Sequence, residues 1–357
     1  MDDARAGRGA LMRAEIGEQP QALARLLDHG LGAVREVAAA IRARPPRFVL
    51  LAARGTSDHA ALYAKYLAEI RLGLPCGLVS PSTLTGFGAR PDLSDVLWIT
   101  VSQSGGSPDL VESTTIARER GALTVAVTND PASALATAAE FGVDVLAGPE
   151  RAVAATKSYS SQLLALYLLV DAVGGGDAAA ARELPDRVGQ LLAAERAGGR
   201  VHRLAQRYRF VERLVTTGRG YAYPTAREAA LKLMETSYLS AHAFSGADLL
   251  HGPFAMIDAD RPVLAVAPDG VGSAALEPVL QRLHEREADV LLVADERTLE
   301  RWGGKLSTVE LALPAVAEEV APVVQIVPFQ LLALEMAVAR GLDPDAPRGL
   351  SKVTRTH

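Results

Sequence analysis

Short apolar runs alternate with longer amphipathic stretches along most of the chain. In the first half the apolar runs fall at residues 48–52, 76–79, 96–101, 124–128 and 143–146. Runs of this length, bounded by Gly, Pro, Ser and Asn, read as buried strands and leave no room for helices. Helical periodicity fills the gaps, over 21–43, from Asp58 to about Arg71, and over 107–120. A longer apolar helix is predicted at Lys157–Val173. Alternation of this kind implies a parallel sheet with right-handed crossovers. Gly174, Gly175, Gly176 and the Ala-rich stretch to Gly199 read as a connection with a helix inside it. A second series follows, with a strand running into small residues and glycine over 214–220 and strands expected at 263–267, 290–293 and 309–313. A terminal apolar helix is expected over 323–340. The pattern predicts two similar α/β units in tandem, after an irregular start over residues 1–9.

One strand end stands out chemically. The run 96–101 breaks into Ser102-Gln103-Ser104-Gly105-Gly106-Ser107-Pro108, and a helix follows. Serine before proline suits an N-cap with Pro at the first helical position. A strand–loop–helix corner of this type aims backbone N–H groups and a helix dipole at one point, which favours an anion. Ser102, Ser104 and Ser107 add hydroxyl donors. No lysine follows the glycines, so the loop is not a nucleotide P-loop. It reads either as a cradle for one phosphate, on a sugar, or as a polar turn with a good N-cap. The matching corner of the second unit, Ala267-Pro268-Asp269-Gly270, lacks the serines and brings a carboxylate, so one phosphate site per chain is expected.

The second unit has a different kind of segment. Glu228, Lys232 and Glu235 fall at i, i+4 and i+7, along one face of a helix. His251 follows in Leu250-His251-Gly252-Pro253. A solvated ion pair and a turn histidine account for this pattern. The alternative rests on the apolar residues around it, because charges on a buried helix need partners or a task.

Composition narrows the function classes. The chain has 357 residues, 49% of them hydrophobic, with a formal charge of −5. Without a basic block, nucleic acid is not the expected partner. Cys76 is the only cysteine and sits in apolar context. That excludes an internal disulfide and a thiolate metal cluster, and predicts a core thiol. The start lacks a signal-peptide pattern, and no run is read as approaching the ~20 apolar residues of a membrane helix. These features predict a cytoplasmic protein with no membrane partner.

The ordered motifs identify a resemblance. They are Glu15-Ile16-Gly17-Glu18-Gln19-Pro20, Gly55-Thr56-Ser57, Ser102-Gln103-Ser104-Gly105 and Ala155-Thr156-Lys157. Later come Glu228-Ala229-Ala230-Leu231-Lys232-Leu233-Met234-Glu235, Leu250-His251-Gly252-Pro253 and Pro347-Arg348-Gly349-Leu350-Ser351-Lys352. From about Met12 to Thr354 the chain resembles the sugar isomerase (SIS) family. The likeness is to the isomerase half of glucosamine-6-phosphate synthase and its stand-alone deaminase relatives. The resemblance implies two tandem flavodoxin-like SIS domains, each a five-stranded parallel sheet flanked by helices. It implies an N-terminal segment (1–26), a phosphate-binding domain (27–180), an acid/base domain (197–345) and a tail closing the active site (346–357). It also implies a homodimer with active sites shared between subunits.

By the same resemblance, Ser102, Gln103, Ser104 and Ser107 hold the phosphate. Thr56 and Ser57 hold the sugar nearby, and Ala154 or Ala155 supplies backbone near its hydroxyls. Glu235 moves a proton between C1 and C2, with Lys232 beside it and Glu228 in support. His251, from the other subunit, opens the ring. Lys352 engages the open-chain sugar. No metal or cofactor is implied. The synthase's glutaminase domain and its nucleophilic cysteine have no counterpart in these residues. The implied activity is therefore conversion of glucosamine 6-phosphate to fructose 6-phosphate and ammonia. Alternatives are a fructosamine-phosphate deglycase, a galactosamine-6-phosphate deaminase, an ammonia-dependent synthase and a non-catalytic phosphosugar sensor.

Overall fold

The computed structural model describes residues 7–352 except 196–198, 303 and 307. Residues 1–6 of the start expected over 1–9, part of the Ala-rich connection and the tail beyond Lys352 lie outside the described residues. The first series of strands is β1 (Phe48–Ala52), β2 (Cys76–Leu78), β3 (Val96–Ser102), β4 (Leu123–Thr128) and β5 (Phe141–Asp144). The second is β6 (Arg213–Gly218), β7 (Ser240–Ser245), β8 (Val263–Val266), β9 (Val290–Asp295) and β10 (Thr308–Leu313). The first set forms a parallel sheet in the order β2-β1-β3-β4-β5 and the second a parallel sheet in the order β10-β9-β8-β6-β7. Read from its other edge, the second order is the same as the first. Each sheet reverses direction once, between β1 and β3 or between β6 and β8. Crevices at the carboxyl ends of such strand pairs are where ligands bind in open α/β sheets.

Two compact units result. The first holds Gln19–Glu150, Lys157–Pro185 and, at the chain's end, Ser351 and Lys352. The second holds the chain up to Glu18, Arg151–Thr156 and Asp186–Leu350. Strands β3, β4, β8 and β9 are buried along nearly their whole length. Helices cover both faces of a parallel sheet, so its inner strands are apolar throughout, which made them readable.

The differences from expectation have local causes. β7 was not foreseen, because Ser-Ala-His-Ala-Phe-Ser alternates small and polar groups without an apolar run. β5 ends at Asp144, short of the expected 146, because Leu146 adopts a left-handed conformation (φ 53°) and donates its N–H to Asp144 Oδ1 at 2.9 Å. The helix expected over 21–43 begins at Gln19 and is interrupted by a π-helical turn at Leu26–Gly30. The reading that no run approaches membrane-spanning length is corrected. Ala321–Ala339 is long and apolar enough by length and composition, and 89% of its best window is buried inside the protein.

The first unit's corner is held by a polar relay inside its core. Trp98 donates from Nε1 to Thr100 Oγ1 at 2.9 Å, and Thr100 and Thr114 share a hydroxyl bond of 2.7 Å. Thr114 Oγ1 donates to the Leu110 carbonyl at 2.7 Å. Together these tie β3 to the helix Pro108–Glu119, so the loop between them has fixed ends. Within the loop Gly105 has φ +59°, and a Cβ there would overlap the Ser133 side chain. Gly105→Ala should therefore cost about 1–3 kcal/mol. A lowered denaturation midpoint checks this, and an unchanged midpoint would show that the loop has room to give.

Candidate active site

In the first unit, the switch-point crevice is built by the loops after β1 and β3. Gly55, with φ 55° and ψ −130°, ends the first loop, and Thr56 starts the helix Thr56–Leu67. The Thr56 side chain is half-buried there, whereas Ser57 faces the core and exchanges hydrogen bonds with the Gln162 amide at 3.1–3.2 Å. Ser107 is the N-cap of Pro108–Glu119, with Pro108 at the first position, but its hydroxyl makes no capping bond. Ser102 Oγ accepts from the Gly105 N–H at 3.2 Å and Ser104 Oγ from the Gly106 N–H at 3.3 Å. The glycine amides are thus engaged by the serines, whose hydroxyl protons remain to be donated. The Gln103 carbonyl accepts from Asn129 N at 3.2 Å and Thr128 Oγ1 at 3.4 Å, which pins the loop to the end of β4. The result is a pre-set row of hydroxyl donors at a helix N-terminus, a geometry that suits one anion.

Sequence reasoning missed a cation at this corner. Arg54 binds Asp109 through Nη2 at 2.7 Å and Nε at 3.0 Å. Asp109 is buried in the first turn of the helix, and Arg54 offsets a carboxylate that would otherwise oppose an incoming anion. The signal was available, since Arg54 directly precedes Gly55 and Thr56.

The corresponding corner of the second unit is closed in a different way from that expected. Asp269 does not face the helix start; it pairs with Arg297 at 2.9 Å. Glu318 instead accepts from Val271 N at 3.0 Å and Gly272 N at 2.7 Å, the first amides of the helix Val271–Glu285. The protein's own carboxylate takes the place an external anion would use.

The row Glu228, Lys232 and Glu235 lies on the helix Ala222–Ser237, which packs between β6, β7 and the apolar helix Ala321–Ala339. The surface reading of this row is corrected, because Glu228 and Lys232 side chains are both 0% exposed and Glu235 only 21%. Lys232 Nζ lies 3.4 Å from Glu228 Oε1 and donates to Glu235 Oε2. Burial pushes the ammonium toward its neutral form, but Glu235 and then Glu228 outweigh burial and raise its pKa. Glu235, at the open end of the row, is held close to a fixed positive charge.

His251 lies in the same unit, exposed, at the C-cap of the short helix Gly246–Leu250 that follows β7. The helix Ala222–Ser237 starts at the carboxyl edge of β6 and ends just before β7 begins. Glu235 therefore stands at the amino edge of the sheet and His251 beyond its carboxyl edge. Six residues of β7 separate the edges by roughly 20 Å. Within one sheet the two groups are not neighbours.

Ala154 and Ala155 belong to Arg151–Thr156, within the second unit. Glu15, of the motif Glu15 to Pro20, holds this loop by accepting from Arg151 N and Ala152 N. Gln330 Nε2 donates to the Thr156 carbonyl at 3.1 Å at its other end. Lys352 lies in the first unit, with Nζ 2.9 Å from Glu150 Oε2. Glu150 is fully buried and also accepts from Ser158 N at 3.0 Å and Ser158 Oγ at 2.6 Å. Burial raises its pKa, but the Lys352 charge and the Ser158 bonds prevail and lower it. Cys76 is a core thiol, pushed up to about 12 by burial, with Glu69 adding to the shift.

A family model described as SIS domain matches residues 44–172 and again 209–340, one match across each sheet. The chain belongs to the SIS-domain family. This SIS protein is 35% identical over 362 residues to the isomerising glutamine–fructose-6-phosphate aminotransferase of Pseudomonas syringae pv. tomato, covering 96% of this chain and 58% of that one. It thus spans somewhat over half the length of the curated relatives it matches. A provisionally assigned phosphosugar isomerase from Silicibacter pomeroyi DSS-3 is 37% identical, with TM-score 0.82, covering 93% of this chain and 99% of that one. The C-terminal domain of glucosamine-fructose-6-phosphate aminotransferase from Francisella tularensis is 26% identical, with TM-score 0.84, covering 94% and 98%.

Two outcomes follow from the charges. Lys232→Met strips a fully buried pair of its cation and should cost about 3–5 kcal/mol. Adding Glu228→Gln should recover part of the loss, as read by denaturant titration. The depressed Glu150 pKa contributes stability that is present above about 4.5, the ordinary value, and is lost as pH falls through the lower folded value. Protease sensitivity near Lys352 should therefore rise on acidification, and Glu150→Gln should flatten that dependence.

Proposed function

We propose that this SIS protein is an aldose–ketose isomerase of amino-sugar phosphates that converts glucosamine 6-phosphate to fructose 6-phosphate and ammonia. The buried Lys232 between Glu228 and Glu235 carries this reading. Lys232 holds the Glu235 carboxylate in place, and Glu235 is the member of the row that reaches solvent. The family membership and the hydroxyl-lined corner at 102–107 support a sugar phosphate as the ligand.

In the proposed reaction Ser102, Gln103, Ser104 and Ser107 bind the phosphate, and Thr56 and Ser57 hold the sugar nearby. His251 opens the sugar ring by transferring a proton, work suited to an imidazole near neutrality. Glu235 then takes the proton from C2 while the C1 carbonyl oxygen gains one, giving an enolamine. Return of that proton from Glu235 to C1 leaves an iminium at C2, which becomes the imine by giving back to solvent the proton that O1 took from it. Water adds to it, and ammonia leaves as the C2 carbonyl forms. Lys352 orients the open chain, and Ala154 and Ala155 offer backbone groups to its hydroxyls.

The separation of Glu235 and His251 across one sheet supports a homodimer in which the imidazole comes from a second copy. A coupled ammonia assay over glucosamine, galactosamine and fructosamine phosphates tests the substrate. Glu235→Gln should abolish turnover while sugar-phosphate binding survives. His251→Asn alone should be inactive too, yet refolding it together with Glu235→Gln should restore a fraction of wild-type activity. Absence of ammonia release and of isomerisation in the wild type would leave a phosphosugar sensor.

A further inference from the structure

The chain's end makes a contact that the reaction above does not use. From Arg348 to Ser351 the residues are exposed, and then Lys352 turns inward, with its side chain 24% exposed. Arg348 is fixed by Tyr238, whose hydroxyl accepts from the Arg348 N–H at 2.8 Å and whose ring lies under the guanidinium at 4.5 Å. Lys352 Nζ reaches Glu150, 202 positions away in sequence, at 2.9 Å. Glu150 is no surface carboxylate. It sits immediately before the loop Arg151–Thr156 and accepts from the N–H and hydroxyl of Ser158, in the first turn of the helix Lys157–Val173. A carboxylate at a helix start is favoured, but a fully buried one also needs an opposite charge to stay ionised. Lys352 supplies that charge from the tail.

We propose that Glu150 is a positioning residue that fixes Lys352, and with it the tail's last described residues, within the unit carrying the phosphate loop. The inference rests on the reading of Lys352 as a substrate-facing group. Glu150 itself touches no reacting atom. It sets where the Lys352 ammonium stands, and so how often the tail is in place when substrate is bound. Without it, phosphate capture by the 102–107 loop continues but the open chain is held less often in the reactive pose.

The test pairs amide hydrogen exchange with steady-state kinetics on wild type, Glu150→Gln, Lys352→Met and the double variant. Exchange of tail amides around residues 348–352 should quicken about tenfold in either single variant. With glucosamine 6-phosphate, kcat should fall by a similar factor while KM and fructose 6-phosphate affinity stay within about twofold. The double variant should be no worse than the worse single one, since both remove one ion pair. Additive losses, or wild-type exchange in Glu150→Gln, overturn the proposal. Should Glu150→Gln fail to fold, Lys352→Met alone decides through the exchange measurement. Should the wild type turn over no phosphosugar, the functional reading falls by itself, and exchange still decides whether Glu150 docks the tail.

Discussion

An ammonium without water is the constraint around which the second unit is built. Lys232 is fully buried on a helix pressed between a parallel sheet and an apolar helix. Desolvation alone would strip its proton or expel it from the core. Two carboxylates at helical spacing keep it charged, and one of them, Glu228, is as buried as the lysine. The second, Glu235, retains some exposure. A row with one dry end and one wet end fixes the geometry of the wet end. Replacing a buried ion row by apolar side chains is often neutral or stabilising, so the row is weak evidence for stability and fits the role proposed for Glu235.

The two sheets share one strand order but differ at the corner where a ligand would enter. In the first unit serines occupy the loop amides and leave hydroxyl protons for donation, and Arg54 offsets the nearby Asp109. In the second, Glu318 occupies the first helix amides with its own carboxylate. The serine bonds fall on loop amides ahead of the helix, whereas the Glu318 bonds fall on the first amides of the helix itself. Only the first corner leaves donors for an outside anion. Duplicated topology and unequal chemistry are compatible because a fold specifies where a site can be, and side chains decide whether it is one.

The sheets were legible because inner parallel strands are apolar on both faces, and β1, β3, β4, β8 and β9 emerge from hydrophobicity alone. β7 was not, since it carries small and polar residues at an edge. The Glu228–Lys232–Glu235 row was seen as a row, but i, i+4 spacing is the same on a wet face and a dry one. Burial depends on Ala321–Ala339, about a hundred residues later, and no local pattern reports it. The same holds for Glu150 with Lys352, Glu15 with Arg151, and Glu318 with Gly272. The resemblance to the SIS family named Lys352 and left its buried partner unnamed. Sequence periodicity assigns faces, whereas the pairing of charges requires coordinates.

The handedness of βαβ units bears on how a complete site can form. A crossover helix runs opposite to the strands it joins, so a residue late in that helix stands at the amino edge of the next strand. A residue just after that strand stands beyond the other edge. Glu235 and His251 occupy these two positions around β7. Side-chain rotation covers a few ångströms, far less than the ~20 Å length of six strand residues. No repacking within this sheet would join them. If both act on one sugar, the imidazole serving Glu235 must belong to another sheet, and a second copy of the chain supplies an identical one by two-fold symmetry at no cost in new sequence. The connectivity of β6 and β7 thus fits the shared site proposed from the resemblance, because it holds the two groups at opposite edges of one sheet.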